Sequence, residues 1–254
     1  MTRQALAPGI AALFLIALMS LALAVHVDRG KTVLEDAYSQ VVVVACGNAY
    51  GTGWFLDSSH VITAYHVIGS SSCSPVLVRG QWSSNASIVA WDPDSDIVLL
   101  EADNPPRWAR GLPLSYSVAT GDDVYVVGYP IQVYEQVDGD LSSMSDNPRA
   151  LKASVAWIDP EGPYFSFQPG TDAGNSGGPV VSRGSGGVVG IVVYARHGIV
   201  DNEFYALRMD AVAAFLDSNG VGYRVAGEGS NAILYGAGAL IAVIMLLRLG
   251  VFRP

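Results

Sequence analysis

Thr171–Val181 read TDAGNSGGPVV: a single serine, Ser176, stands among Gly174, Gly177 and Gly178, and an apolar run follows. Each glycine loses conformational entropy on folding, so such a cluster asks for a geometric reason. A tight turn feeding a strand would supply one. The alternative is a chemical role for Ser176. Partners elsewhere in the chain decide between the two.

A serine hydroxyl attacks poorly until a base takes its proton, and neutral histidine suits that task. The chain has 4 histidines. His26 lies at the end of an apolar segment, His60 in a DSSH turn and His197 in an RHG turn. That leaves His66, in VITAYHVI at the end of a predicted strand, although a lone histidine there also suits a core position. A base needs a carboxylate on its other ring nitrogen. WDPDSDIVLLE offers Asp92, Asp94 and Asp96. Only Asp96 directly begins an apolar run, and Asp92 and Asp94 read as turn residues.

Around these residues the chain is built from short apolar runs separated by turn residues: VVVVAC, GTGWFL, HVITA, PVLV, SIVAW, DIVLLE, DDVYVVGYP, LKASVAWI, YFSF, PVVS, GGVVGIVVYA and EFYAL. Runs of this length, rich in Val, Ile, Tyr and Phe, predict an all-β barrel or sandwich. One helix is expected at MDAVAAFLDSNG, with Val212, Phe215 and Leu216 on one face and Gly220 at its end. Asp103–Leu114 (DNPPRWARGLPL) reads as a linker between two sets of strands. Glu135–Arg149 (EQVDGDLSSMSDNPR) has no apolar period and is expected to be a mobile loop.

TAYHV, DPDSDIVLLE and GNSGGP, in the chain order His, Asp, Ser, resemble the chymotrypsin-like serine proteases. GTGWFLDSSHVITAYHV, GDDVYVVGYP and GGVVGIVVYA are most similar to the Deg (high-temperature-requirement) branch of that family, and the likeness covers about 41–216. The resemblance implies two six-stranded antiparallel β-barrels with a short C-terminal helix. The protease domain would span 32–225, with barrel one at about 33–102, a linker at about 103–116 and barrel two at about 117–220.

It also implies roles: His66 as base and then acid, Asp96 orienting it, Ser176 as nucleophile, and the N–H groups of Gly174 and Ser176 as the oxyanion hole. Gly177 and Gly178 would allow tight passage into the next strand, and Asn175 would tolerate unusual backbone angles. Gly170 and Thr171 would lie at the base of the specificity pocket, with Val193, Tyr194 and Ala195 flanking the substrate. These positions carry no charge, so an uncharged side chain of small or medium size is expected before the cut bond, while Asp172 reads as either a cation selector or a turn residue. No cofactor is required. Asn175 stands where proteases of the digestive and clotting type have an Asp that pairs with a newly freed N-terminus, so activation by cleavage is not expected. Deg proteases usually carry a PDZ domain after the protease, but only Arg224–Asn231 separates this one from its second apolar segment, so PDZ-based regulation is expected to be absent.

The two ends are apolar. Leu6–Val27 has no acidic or basic side chain apart from His26 and is long enough to cross a bilayer, which takes roughly 20 residues. Ala22-Leu23-Ala24 equally suits a signal peptidase, so residues 1–31 read as an anchor or a signal segment. After a linker at 226–231, residues 232–254 read as a second transmembrane helix with a short basic tail; a buried core helix is the alternative. Arg3, Arg248 and Arg253 flank these segments and predict both termini in the cytoplasm if the first is uncleaved, with the middle outside the cell membrane. That middle holds all 23 acidic residues, an acidity that argues against nucleic acid and anionic lipid as partners. Cys46 and Cys73 lie in this exported part; they either pair around His66 or remain as two buried thiols. The expected function is a membrane-anchored serine endopeptidase acting on extracytoplasmic proteins or peptides, with the bilayer as its other partner. The rival is a catalytically silent protease-fold binding protein. Oligomeric state is not legible.

Overall fold

The computed structural model describes residues 32–193 and 204–227. Six strands form a closed barrel: β1 (Val41–Cys46), β2 (Ala49–Phe55), β3 (His60–Ala64), β4 (Val76–Arg79), β5 (Trp82–Asp92) and β6 (Ile97–Ala102), joined in the order β1-β2-β3-β6-β5-β4. Six more close a second: β7 (Asp123–Gly128), β8 (Arg149–Ile158), β9 (Tyr164–Gln168), β10 (Pro179–Ser182), β11 (Val188–Val193) and β12 (Phe204–Arg208), in the order β10-β11-β12-β9-β8-β7. Every pairing is antiparallel. Each apolar run read from the sequence lies on one of these strands.

Burial follows the period of each run. The alternating face of β8 leaves Lys152 and Ser154 outward while Ala153 and Val155 enter the second core. The unbroken VVVV of β1 is buried on both faces, which an antiparallel strand requires only where something covers its outer side. Part of that cover is a helix absent from the sequence reading, residues 32–40 (α1), which turns Val33 and Ala37, one helical turn apart, into the core. The predicted C-terminal helix is present as Met209–Ser218, burying Val212 and Leu216 and half-burying Phe215.

The 135–149 stretch corrects its expectation. It contains the end of α3 (Ile131–Gln136) and all of α4 (Leu141–Ser145), with Met144 fully buried. Polar bonds do the work that an apolar period does elsewhere. The Asp140 carboxylate caps α4 by accepting from the Ser143 N–H at 2.9 Å. Ser142 Oγ donates to the Gly80 carbonyl at 2.7 Å, and Ser145 Oγ accepts from the Gly80 N–H at 2.7 Å.

Cys46 and Cys73 are bonded to each other, with Cα atoms 6.2 Å apart. The inter-barrel linker is held along its length: the Arg110 and Gly111 N–H groups donate to Gln40 Oε1, and Leu114 pairs through both backbone groups with Arg224 and Ala226. Among the described residues no helix is long and apolar enough to cross a membrane. The segments 6–27 and 232–252 lie outside the described residues.

Candidate active site

His66 sits on α2 (Tyr65–Ile68), a single turn that begins where β3 ends and stops at Gly69 in the left-handed region. Asp96 is the last residue of the turn before β6 and is itself left-handed, at φ 56°. A non-glycine residue rarely holds that angle, although Asp and Asn do so more readily than most. Here it aims both carboxylate oxygens at one residue: Oδ1 accepts the His66 backbone N–H at 2.8 Å and Oδ2 meets His66 Nδ1 at 2.7 Å. With Nδ1 bonded to the acid, the tautomer that carries the proton there leaves Nε2 free to accept another. The Asp96 carbonyl also accepts the Tyr65 N–H at 3.1 Å, so Asp96 is fixed to the start of α2 through backbone as well as side chain.

Ser176 lies on the loop that leads into β10, in the other barrel. Its carbonyl accepts the Thr52 N–H at 2.9 Å, and the Gly177 N–H donates to the Val192 carbonyl on β11 at 2.7 Å. Gly177, at φ 82°, lies against the backbone of Thr52 and Ala64, where a side chain would overlap both. Gly51 is packed between Val67, the neighbour of His66, and the Ser176 carbonyl: a Cβ there would come within 2.5 Å and 2.9 Å of them. The serine loop is therefore packed against the first barrel at two glycines.

The orientation of the 173–174 peptide follows from one bond. The Ala173 carbonyl accepts the Ile131 N–H at 2.8 Å. In a trans peptide C=O and N–H point opposite ways, so the Gly174 N–H is turned away from Ile131. Neither it nor the Ser176 N–H donates to a backbone acceptor among the described residues. Gly174 holds φ 92°, which an L side chain would resist, and its carbonyl accepts Thr52 Oγ1 at 2.7 Å. Tyr50 packs over Gly174 and stacks on Tyr134 with ring centroids 4.7 Å apart. Burial, then Tyr134 and Glu135, push the Tyr50 hydroxyl up to about 12.

Asn175 does not carry an unusual backbone angle; the positive φ values fall on its neighbours Gly174 and Gly177. It is buried, and its Nδ2 donates to Thr171 Oγ1 at 2.6 Å, a bond that closes the loop ahead of Ser176. Thr171 is thereby turned towards Asn175, and Asp172 accepts the Asn175 N–H at its carbonyl. Gly170 lies against Phe204, and Val193 ends β11 opposite Tyr205. Tyr194 and Ala195 lie outside the described residues. Burial, then the carboxylates of Asp96, Asp92 and Asp94, raise the Tyr164 hydroxyl above its ordinary value.

Four contributors escape a reading by motif: Gly51, Thr52, Ile131 and Tyr50. Thr52 is fully buried and ties both barrels to the serine loop, because besides the bonds above its Oγ1 accepts the Tyr129 N–H at 3.0 Å and its carbonyl accepts Thr63 Oγ1 at 2.7 Å. The GTGW string that contains it also reads as an ordinary strand with glycines. Its polar side chain in an otherwise apolar strand was the available signal.

Residues 51–191 match the family model described as trypsin-like peptidase domain. The chain is similar to Protease Do-like 1, chloroplastic, of Arabidopsis thaliana, 28% identical over 73% of this chain and 42% of that protein. It is also similar to periplasmic serine endoprotease DegP of Salmonella typhimurium, 29% identical over 56% of this chain and 29% of that protein. The chain thus spans less than half the length of these curated relatives. Its fold is similar to the crystal structure of Rv3671c protease from M. tuberculosis, active form, with a TM-score of 0.60 and 24% identity over 76% of this chain and 86% of that one.

Proposed function

Since the chain belongs to the trypsin-like peptidase family, with relatives among the Do-like and DegP serine proteases, we propose that it is a membrane-tethered serine endopeptidase that cuts extracytoplasmic proteins. The observation that carries this is the two-point grip of Asp96 on His66, through the backbone N–H and through Nδ1. A core histidine needs one satisfied nitrogen; a general base needs a fixed ring with its far nitrogen free.

His66 Nε2 takes the Ser176 hydroxyl proton as Oγ bonds to the scissile carbonyl carbon. The charge that collects on the carbonyl oxygen is received by the Gly174 and Ser176 N–H groups. The C–N bond then breaks and His66 passes its proton to the leaving amine. Water follows: His66 takes one of its protons, the oxygen bonds to the acyl carbon, and the ester to Ser176 breaks with the proton returning to Oγ. Asn175, bonded to Thr171, holds the loop without an ion pair, so the uncut chain is active.

Tethering rests on the apolar character of 6–27 and 232–252. Tags at either terminus of the full-length protein should resist protease added to intact spheroplasts, and exposure of the C-terminal tag would remove the second span.

The activity is tested by fluorophosphonate labelling of the membrane fraction. A labelled band absent in Ser176→Ala, with casein hydrolysis lower by about 10³-fold or more, is expected. Labelling that survives in the variant would remove Ser176 from its role.

A further inference from the structure

Tyr50 is the second residue of β2 and faces Ala45 on β1; its neighbour Ala49 faces Cys46, whose sulfur is bonded to Cys73. The backbone that carries the ring is thus fixed in the first barrel. The ring itself meets the serine loop of the second: a Cβ placed on Gly174 would come within 3.1 Å of Tyr50 Cε2 and 3.3 Å of the Ile131 nitrogen.

The same ring meets the helix that supplies the Ile131 N–H. Tyr134 stands three positions after Ile131 on α3, a spacing that puts both on one face. Tyr50 stacks on Tyr134 with the ring planes 26° apart. Gly139, at φ 79°, closes the far side of Tyr134: a Cβ there would come within 3.0 Å of the Tyr134 hydroxyl, and the Gly139 N–H donates to the Tyr134 carbonyl at 3.0 Å. Two rings therefore stand between Gly174 and Gly139. Tyr50 touches both partners of one hydrogen bond, the loop that offers the Ala173 carbonyl and the helix that offers the Ile131 N–H.

Glycine adopts either sign of φ with little steric cost, so the orientation of the 173–174 peptide is left to its surroundings. Resting on Ser176 as the nucleophile and on the Gly174 N–H as an oxyanion donor, we infer that Tyr50 is a positioning residue for that donor: its ring, braced on Tyr134, keeps the 173–174 peptide in the orientation that the bond to Ile131 sets. The ring does this and the hydroxyl does not, because the hydroxyl is buried and finds no hydrogen-bond partner among the described residues.

The test uses full-length protein. Tyr50→Ala should lower kcat by about 10²-fold, the cost of one oxyanion donor, with KM within about 2-fold of wild type. It should weaken by a comparable factor the binding of a peptide boronic acid, whose tetrahedral adduct on Ser176 resembles the transition state and places an oxygen in the hole. Hydrogen exchange in peptides covering 129–137, which report the Ile131 N–H, should quicken by about 10-fold or more. Tyr50→Phe keeps the ring, so all three readouts should stay within about 2-fold of wild type, and its melting midpoint should hold or rise because an unpaired buried hydroxyl costs stability. Tyr50→Leu should fall between, and it carries the test if the alanine variant does not fold. An alanine or leucine variant that keeps wild-type kcat and boronate affinity overturns the inference and leaves the protease assignment standing; so does a phenylalanine variant as slow as alanine, which would give the role to the hydroxyl. A wild type that neither takes the fluorophosphonate label nor cuts casein removes the reading of Ser176, and this inference with it.

Discussion

The Ala173 carbonyl is held by the backbone N–H of Ile131 at 2.8 Å, and this bond turns the Gly174 N–H away from Ile131, an orientation that the proposed oxyanion hole depends on. Ile131 can make it because the first N–H groups of a helix have no partner within the helix. Replacement by proline removes the donor and puts a ring carbon in its place, yet proline is well tolerated at the first position of a helix. Pro130 ahead of it is already extended, at φ −65° and ψ 154°, as a residue before proline must be. Ile131→Pro should therefore lower kcat/KM by about 10²-fold, as loss of one oxyanion donor does, and move the unfolding midpoint by only about 3 °C. Ile131→Ala, which keeps the N–H, should retain most of the activity. Equal rates in the proline variant and wild type would mean that the loop holds its orientation without this bond.

Asp96→Asn separates orientation from charge and fold. Asn tolerates the left-handed backbone, and its Oδ1 can still accept the His66 N–H. Its Nδ2 would face His66 Nδ1 and favour the wrong tautomer, for a loss of about 10³–10⁴-fold in kcat with the fold kept. The measurement is turnover beside a thermal melt; activity within tenfold of wild type would free Asp96 from the role proposed for it.

The disulfide joins residues 27 positions apart, and the loop it closes contains α2 with His66. Loop-closure entropy assigns such a bridge about 3–4 kcal/mol. Replacing both cysteines by serine should lower the melting midpoint by about 10 °C in calorimetry. A shift under about 2 °C would show that the β1–β2 and β1–β4 pairings hold this loop by themselves.

Asp57 is the clearest acid-sensitive point. Burial pushes its carboxyl up, but the N–H groups of His60 and Ser59 and the His60 ring outweigh that and hold it below the usual carboxylate range. A carboxyl lowered in the folded state lends stability above its unfolded pKa and loses it as pH falls through the folded one. The melting midpoint of wild type should therefore drop further between about pH 6 and about pH 3 than that of Asp57→Asn. Parallel curves would show that the turn does not depend on this charge.

The local sequence determined much of the architecture. All twelve strands lie where apolar runs and turn residues indicated, because strand burial has a period of two that is written in neighbouring residues. His66, Asp96 and Ser176 could be selected as residue types suited to one chemistry. The 135–149 helices, α1 and the roles of Thr52 and Ile131 were left to the tertiary structure. The polar 135–149 segment is ordered by serine hydroxyls that bond Gly80, more than 60 positions earlier. Thr52 looks like any strand residue until Gly174, 122 positions later, is brought against it. A hydrogen bond carries no periodic mark in the chain, and its partner is chosen only when two closed barrels meet; that meeting decided how the serine loop is held.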